Sequence, residues 1–163
     1  MTASEKRSGR RLRGPVYVDA SALAKLYLPE AESDSLELAL FGRRDLQVSN
    51  LAVTEVISAA ARRRREGLLT SEQLSRVHSA LLDDVSNEGA FLRLDLEPSV
   101  HREAERLLVR GATDEGAPGL RAADALHLAL AVTAAARTLV TFDQRLAQAA
   151  RMAGLHVFPA LGP

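Results

Sequence analysis

The stretch VYVDASALAKLYLP, residues 16–29, places an acidic side chain between a short strand and a helix. Its first residues are β-branched or aromatic, which favours a buried strand, and Asp19 ends that run. Apolar residues at helical spacing then occupy positions 21–28, and Pro29 stops the helix. This order of strand, acid and helix is typical of a parallel α/β sheet, in which strand ends and helix starts meet along one edge.

Three more acidic residues stand in the same kind of place. Glu55 follows the apolar run 46–49 by six residues, Asp124 lies early in a predicted apolar helix, and Asp143 ends another apolar run. Ligands of parallel α/β proteins bind in the crevice at the carboxyl ends of the strands. We therefore expect four carboxylates, including that of Asp19, to gather at one edge of the sheet.

The rest of the chain alternates short apolar strands with amphipathic helices. The predicted strands are 16–19, 46–49, 90–95, 138–142 and 155–158. The predicted helices are 21–28, 30–43, 50–66, 71–87, 99–111, 121–136 and 144–153. This alternation predicts a three-layer α/β/α sandwich with a mainly parallel, roughly five-stranded sheet, formed by one domain over residues 15–163.

Length and composition exclude several classes of protein. The chain has 163 residues, no cysteine and a net charge of zero, so disulfides and cysteine-built zinc sites are excluded and a cytoplasmic location is expected. Its longest apolar stretch, 125–136, is too short to span a bilayer, so no membrane association is expected. Residues 1–14 carry a net charge of +4. They are predicted to form a basic, flexible extension, for which RNA contact is the alternative.

Gathered carboxylates suit a hard divalent cation. Mg²⁺ and Mn²⁺ prefer carboxylate and water oxygens, and unpaired carboxylates repel one another until a cation lies between them. The hydroxyls of Ser21 and Thr141 are expected at the same edge. Each acid also has a purely structural explanation: Asp19 and Asp143 as helix N-caps, Asp124 as a partner of a helix dipole, and Glu55 as an exposed helix residue.

The order of these motifs resembles the PIN-domain family, and within it the VapC toxins of type II toxin–antitoxin modules. The resemblance covers residues 16–158, and it rests on four segments. These are VYVDASALAK (16–25), TEV (54–56), LRAADALHLA (120–129) and LVTFDQRL (139–146).

The resemblance implies a small endoribonuclease that depends on Mg²⁺ or Mn²⁺. Its metal-binding and catalytic acids would be Asp19, Glu55, Asp124 and Asp143, with Thr141 as a small hydroxyl residue near the metal. The cation would activate water for attack on an RNA phosphodiester. The resemblance also implies a homodimer, which we expect to form through residues 30–66, and inhibition by a cognate VapB-like antitoxin. The identity of the RNA and the number of metal ions stay open.

Several other residues have more than one interpretation. His127 lies three residues after Asp124, and it is either a proton shuttle or RNA contact, or a buried histidine that supports the site. Lys25 and the run 62–65, which is all arginine, are either phosphate contacts or solvated helix residues. Tyr17 and Phe142 are interpreted as core residues.

Two functions other than a nuclease also fit acids at the ends of strands. Phosphoaspartate chemistry needs a second acid beside the first aspartate and a late lysine, yet Asp19 is followed by Ala20-Ser21 and no lysine follows Lys25. The second alternative is a catalytically silent PIN-like scaffold that binds RNA or a protein, and the sequence leaves it open.

Overall fold

The structure is a computed structural model, and it describes residues 12–86 and 88–160. In these ranges five strands form one parallel sheet in the order β3-β2-β1-β4-β5. The strands are β1 (Val16–Val18), β2 (Leu46–Ser49), β3 (Leu92–Leu94), β4 (Thr138–Val140) and β5 (His156–Phe158). The helices are α1 (Ala20–Tyr27), α2 (Ser33–Leu40), α3 (Asn50–Arg65), α4 (Ser71–Asp84), α5 (Pro98–Thr113), α6 (Ala122–Thr133) and α7 (Gln144–Met152).

Two apolar cores lie on the two faces of the sheet. Side chains alternate along β1, so that Val16 and Val18 pack in one core with residues of α1 to α4, and Tyr17 packs in the other with α5 to α7. All three residues of β1 are buried, because β1 is the central strand and has helices on both sides. The predicted α/β sandwich with a parallel five-stranded sheet is therefore confirmed.

The strand order creates a switch point between β1 and β4. From β1 the chain builds outward through β2 and β3, and it then returns to add β4 on the other side of β1. Val18 pairs with Val140, and the amide of Asp19 donates to the carbonyl of Val140 at 3.1 Å. The ends of these two strands are adjacent, which is where parallel sheets of this kind bind ligands.

Some predicted element ends are wrong by a few residues. The helix predicted over 121–136 ends at Thr133, because Ala135 adopts a positive φ of 53° that breaks helical geometry. The strand predicted over 90–95 is only Leu92–Leu94. Leu92 is 61% exposed, since β3 is the edge of the sheet.

The described end of the predicted basic extension packs on the domain. Leu12 is buried, and its carbonyl accepts a hydrogen bond from Arg43 at 3.1 Å. Arg13 exchanges two hydrogen bonds with Thr138, the first residue of β4. Packed structure thus begins at least three residues before the predicted boundary at residue 15, while residues 1–11 lie outside the described residues. No helix in the described ranges has the length and apolarity needed to cross a membrane.

Candidate functional site

Asp19 lies where β1 ends, and its side chain caps α1. The residue is 3% exposed, and the amide of Ala22 donates to its Oδ1 at 2.9 Å. Two hydroxyls also donate to the carboxylate: Thr141 Oγ1 to Oδ2 at 2.6 Å, and Ser21 Oγ to Oδ1 at 2.7 Å. The carboxylate therefore receives three hydrogen bonds in a place that water barely reaches.

The backbone that follows β4 orients both hydroxyls. The amide of Phe142 donates to Ser21 Oγ at 2.8 Å, and the amide of Asp143 donates to Thr141 Oγ1 at 3.0 Å. Because a backbone N–H can only donate, each hydroxyl accepts there and directs its own proton to Asp19. Donors of this kind stabilise the ionised form of a carboxylate.

Burial works against that ionised form. Loss of solvent raises the pKa of Asp19 above its usual value, and it outweighs the hydrogen bond from Thr141, the charge of His127 and the remaining hydrogen bonds, all of which lower the pKa. The ion pairs found among the described residues do not include Asp19. A buried carboxylate without a cationic side chain is a favourable place for a bound cation.

Asp143 and Asp124 line one surface cleft. Asp143 caps α7, because the amide of Leu146 donates to its Oδ1 at 2.9 Å. Asp124 is the third residue of α6, and its Oδ2 accepts the amide of Arg121 at 3.3 Å. Each contact uses one carboxylate oxygen, and across the described chain no hydrogen-bond partner is found for the other. The cleft is lined by Arg121, Asp124, Phe142, Asp143, Gln144 and Arg145.

Glu55 lies half-buried on α3 and contacts α6 through His127. Nε2 of His127 is 2.7 Å from Glu55 Oε2, and Nδ1 of the same ring is 2.8 Å from the Tyr17 hydroxyl. That hydroxyl is also hydrogen-bonded to Ser49 Oγ at 2.9 Å. Ser49 in turn caps α3 by accepting the amide of Ala52 at 3.0 Å. We call Ser49, Tyr17, His127 and Glu55 the Glu55 network.

Three members of the Glu55 network, Ser49, Tyr17 and His127, are buried. Tyr17 and Ser49 have no exposed surface, and the His127 side chain is 4% exposed. Burial raises the pKa of the Tyr17 hydroxyl well above its usual range, so the hydroxyl stays protonated. Direct contact of His127 with RNA, one of the roles left open by the sequence, does not fit this burial. The buried imidazole instead contacts Glu55.

The structure connects three of the four acids, and it holds Glu55 separately through His127. Thr141 links Asp19 to the backbone of Asp143, and Asp143 shares a cleft with Asp124, while Glu55 is held from α6. Within the described residues, no group of three or more His, Cys, Asp or Glu side chains is placed to hold a metal ion. Convergence of all four acids on one cation therefore stays a prediction. The capping roles of Asp19 and Asp143 are observed, and they leave room for a second role.

The donor groups at this edge suit Mg²⁺ or Mn²⁺ by their chemistry. They are carboxylate and hydroxyl oxygens, the ligands that these hard cations prefer. In the described part of the chain, none of the four acids pairs with an arginine; Glu55 contacts His127. Repulsion between free carboxylates is expected to keep them apart until a cation binds.

Some of the cationic side chains considered as phosphate contacts already have partners within the protein. Lys25 contacts both Glu30 and Glu32 at 2.7 Å, and its ammonium lies 4.7 Å from the centre of the Phe142 ring. In the run 62–65, Arg63 pairs with Glu30, and a neighbouring arginine bonds to a serine of α4. These contacts favour structural roles for Lys25 and Arg63.

The sequence interpretation missed Ser49 and Tyr17 as part of the site. From the sequence, Ser49 is only the last residue of a predicted strand, and Tyr17 is only a core residue. The available signal was weak: a buried tyrosine needs a hydrogen-bond partner, and His127 is a polar residue in an otherwise apolar helix.

Comparisons with known proteins agree on one family. The family model of the PIN domain matches residues 16–152. Ribonuclease VapC35 of Mycobacterium tuberculosis is 35% identical over 151 residues, which cover 87% of this chain and 94% of the relative. Ribonuclease VapC3 of Pyrobaculum aerophilum is 30% identical over 133 residues, which cover 82% of this chain and 92% of the relative.

A solved structure supports the same fold. FitAcB from Neisseria gonorrhoeae superposes with a TM-score of 0.68 at 18% identity, over 88% of this chain and 96% of the other. At that level of identity the likeness concerns the fold alone.

Proposed function

Because this chain belongs to the PIN-domain family, we propose that it is a ribonuclease that requires Mg²⁺ or Mn²⁺ and acts as the toxin of a toxin–antitoxin pair. The similarity to relatives named Ribonuclease VapC supports the substrate class. The observation that carries the proposal furthest is Asp19, a buried carboxylate at the switch point of the sheet with no cationic partner among the described residues. A cation bound there would neutralise a buried charge that has hydrogen-bond donors but no ion-pair partner among the described residues.

Asp19, Glu55, Asp124 and Asp143 are the residues that would hold the cation. When bound, Mg²⁺ or Mn²⁺ supplies an acidified water and stabilises the negative charge that develops on the phosphate. Thr141 and Ser21 fix the Asp19 carboxylate in one orientation. The capping contacts of Asp124 and Asp143 hold these two side chains at helix N-termini.

Arg121 and Arg145 are the proposed contacts for the RNA backbone. Both line the cleft that holds Asp124 and Asp143, both are exposed, and neither forms an ion pair among the described residues. A polyanion that approaches this acidic edge is repelled, and two guanidinium groups at the rim offset that repulsion. Their contacts with phosphate would set the register of the strand without reading its sequence.

The proposed partners are a second copy of the chain and a VapB-like antitoxin. Leu38 lies in α2 and is 80% exposed, and Phe41 follows the end of that helix and is 84% exposed. Both residues lie within the segment 30–66 that is expected at the dimer interface. Large apolar side chains with this exposure mark a surface that a partner covers. The antitoxin assignment rests on the family resemblance.

Cleavage of RNA by the purified protein is the direct test. We expect cleavage with Mn²⁺ or Mg²⁺, none with excess EDTA, and recovery when the cation is restored. Asp19→Asn should abolish cleavage while circular dichroism and the unfolding transition show a folded protein. Asp45→Asn is the matched control, because Asp45 pairs with Arg43 before β2, away from the carboxyl ends of the strands.

RNA binding without cleavage, unchanged by EDTA or by Asp19→Asn, would refute the nuclease. That result would support the catalytically silent scaffold instead.

A further inference from the structure

The Glu55 network begins at Ser49, the N-cap of α3, and ends within that helix at Glu55. Ser49 caps the first turn of α3, and Glu55 lies in the second turn. Between them the contacts leave α3, cross Tyr17 of β1 and His127 of α6, and return to Glu55 at distances of 2.9, 2.8 and 2.7 Å. The network is therefore a closed ring of contacts that fixes α3 relative to both the central strand and α6.

We propose that His127, itself oriented by Tyr17, is a positioning residue that holds the Glu55 carboxylate in place for a divalent cation. This inference rests on the proposed function, because it assigns a role within the same site. His127 touches neither the cation nor RNA in this assignment. It acts only through Glu55.

Burial of His127 is the first argument. The helix α6 is otherwise almost wholly apolar, and residues such as Ala125, Leu128 and Leu130 fill the core beside it. An imidazole in that place has two polar nitrogens, each of which destabilises the fold unless it has a partner. Both nitrogens of His127 have one, Tyr17 on one side and Glu55 on the other. A leucine would fill the space without those demands, so packing alone does not explain a histidine.

The conformational freedom of Glu55 is the second argument. A glutamate side chain has three rotatable bonds, and immobilising it costs conformational entropy. The contact of Oε2 with His127 restricts those bonds before any cation binds. Oε1 has no hydrogen-bond partner in the described chain and remains for a ligand. Preorganisation of this kind increases affinity because less freedom is lost on binding.

The position of His127 on α6 is the third argument. Asp124 lies one helical turn earlier, so the same helix carries one proposed ligand and the residue that holds another. A displacement of α6 would move both acids together. The histidine thus couples Glu55 of α3 to Asp124 of α6, although the two helices belong to different layers of the sandwich.

Two amide variants separate positioning from packing. The amide of His127→Gln reaches the place of Nε2 and keeps a donor for Glu55, whereas the amide of His127→Asn reaches only the place of Nδ1. We expect His127→Asn to weaken Mn²⁺ binding about 10-fold or more, as measured by electron paramagnetic resonance of free Mn²⁺. His127→Gln should restore affinity to within about 3-fold of the original protein. Equal losses in the two variants would overturn the inference, because a packing defect does not distinguish them.

A double-mutant cycle with Glu55→Ala shows whether His127 acts through Glu55. We expect His127→Asn to weaken Mn²⁺ binding only when Glu55 is present. If His127→Asn weakens Mn²⁺ binding equally in the Glu55→Ala background, the inference is overturned. The assignment of the metal site itself would still stand. If Glu55→Ala itself leaves Mn²⁺ affinity unchanged, the assignment of Glu55 as a ligand fails, and the inference fails with it.

The contact can also be tested without metal. In the metal-free protein, ¹⁵N NMR of the imidazole should show that the His127 Nε2 signal moves with Glu55→Gln and not with Glu105→Gln, an exposed glutamate of α5. Tyr17→Phe should move the Nδ1 signal and weaken Mn²⁺ binding less than His127→Asn does. An unchanged Nε2 signal in Glu55→Gln would contradict the network itself, independently of whether the protein cleaves RNA.

Discussion

Thr141 donates its hydroxyl proton to the carboxylate of Asp19 at 2.6 Å, across the junction of two strands that are far apart in sequence. Both residues are buried, and each directly follows its strand, Asp19 after β1 and Thr141 after β4. The same hydroxyl accepts the amide of Asp143, so one side chain connects two of the proposed metal-binding acids. The junction therefore organises the site before any cation is present.

Removal of the Thr141 hydroxyl should destabilise the protein. Thr141→Val keeps the shape of the side chain, but it leaves the amide of Asp143 without its acceptor and takes one donor from Asp19. We expect a loss of about 1–3 kcal/mol in the free energy of unfolding, measured by urea denaturation in EDTA. Thr133→Val is the control, because the Thr133 hydroxyl bonds only to carbonyls of its own helix, and it should cost less than about 0.5 kcal/mol. Equal costs for the two variants would contradict the role of the Thr141 hydroxyl.

The burial of Asp19 predicts a pH-dependent effect of Asp19→Asn. The pKa of Asp19 is higher in the folded than in the unfolded protein. At pH values between these two pKa values, the folded state binds more protons than the unfolded state, so the free energy of unfolding falls as pH rises. Asparagine carries no such charge. Without metal, the stability of Asp19→Asn relative to the original protein should therefore increase as pH rises through the folded pKa of Asp19, and then level off. Urea denaturation at a series of pH values in EDTA measures this difference.

Glu30→Gln provides a control of opposite sign. Hydrogen bonds and charge from Lys25, together with Arg63, lower the pKa of Glu30. The stability that this glutamate contributes is present above its ordinary pKa and is lost as pH falls through its folded pKa. The original protein should thus lose its advantage over Glu30→Gln at acidic pH. If both variants show the same trend with pH, the burial argument for Asp19 is wrong.

Binding of RNA should depend on Arg121 and Arg145. In EDTA, where cleavage cannot occur, Arg121→Gln and Arg145→Gln should each weaken binding of a fluorescent single-stranded RNA. Each should also reduce the slope of log affinity against log salt by about 1, since one phosphate contact is lost. Arg76→Gln on α4 is the control, because Arg76 is exposed and faces Glu72 at 3.8 Å. A salt slope that stays unchanged in both cleft variants would remove these arginines from the proposed interface.

Self-association should depend on the exposed apolar surface at Leu38 and Phe41. Sedimentation equilibrium should show a dimer for the original protein at micromolar concentration and a monomer for Phe41→Glu, because a buried unpaired charge opposes association. Val109→Glu is the matched control, since Val109 is 64% exposed on α5 and lies outside the expected interface. A Phe41→Glu dimer as stable as the original would place the interface elsewhere.

Much of the fold was predictable because local rules agree with one another. Pro29, the arginines before Gly67 and the capping box of Thr70 with Gln73 each mark helix ends that the structure contains. The sequence pattern was less informative where tertiary contacts decide whether a residue is buried. The sequence places Leu12 in a flexible extension, because a single apolar residue after basic ones has no periodic signal. In the structure Leu12 is buried.

The candidate site was predictable in part for the same reason. An acid directly after an apolar strand reaches the carboxyl edge of a parallel sheet wherever that strand is inserted, so Asp19 and Asp143 could be placed at that edge. Glu55 and His127 are different, since each lies on a helix whose register against the other helix depends on side-chain packing. Their contact at 2.7 Å has no signal in the spacing of either segment.

The sequence by itself determined the alternation of strands and helices and the position of each acid along its own element, because backbone propensity and the periods of strand and helix act locally. Only the tertiary structure decided that β4 lies beside β1, that Thr141 meets Asp19, and that Tyr17 and His127 link β1 to Glu55. Those contacts depend on which strand order and helix register bury the most apolar surface while most buried polar groups keep a partner, and that balance is a property of the whole packed domain.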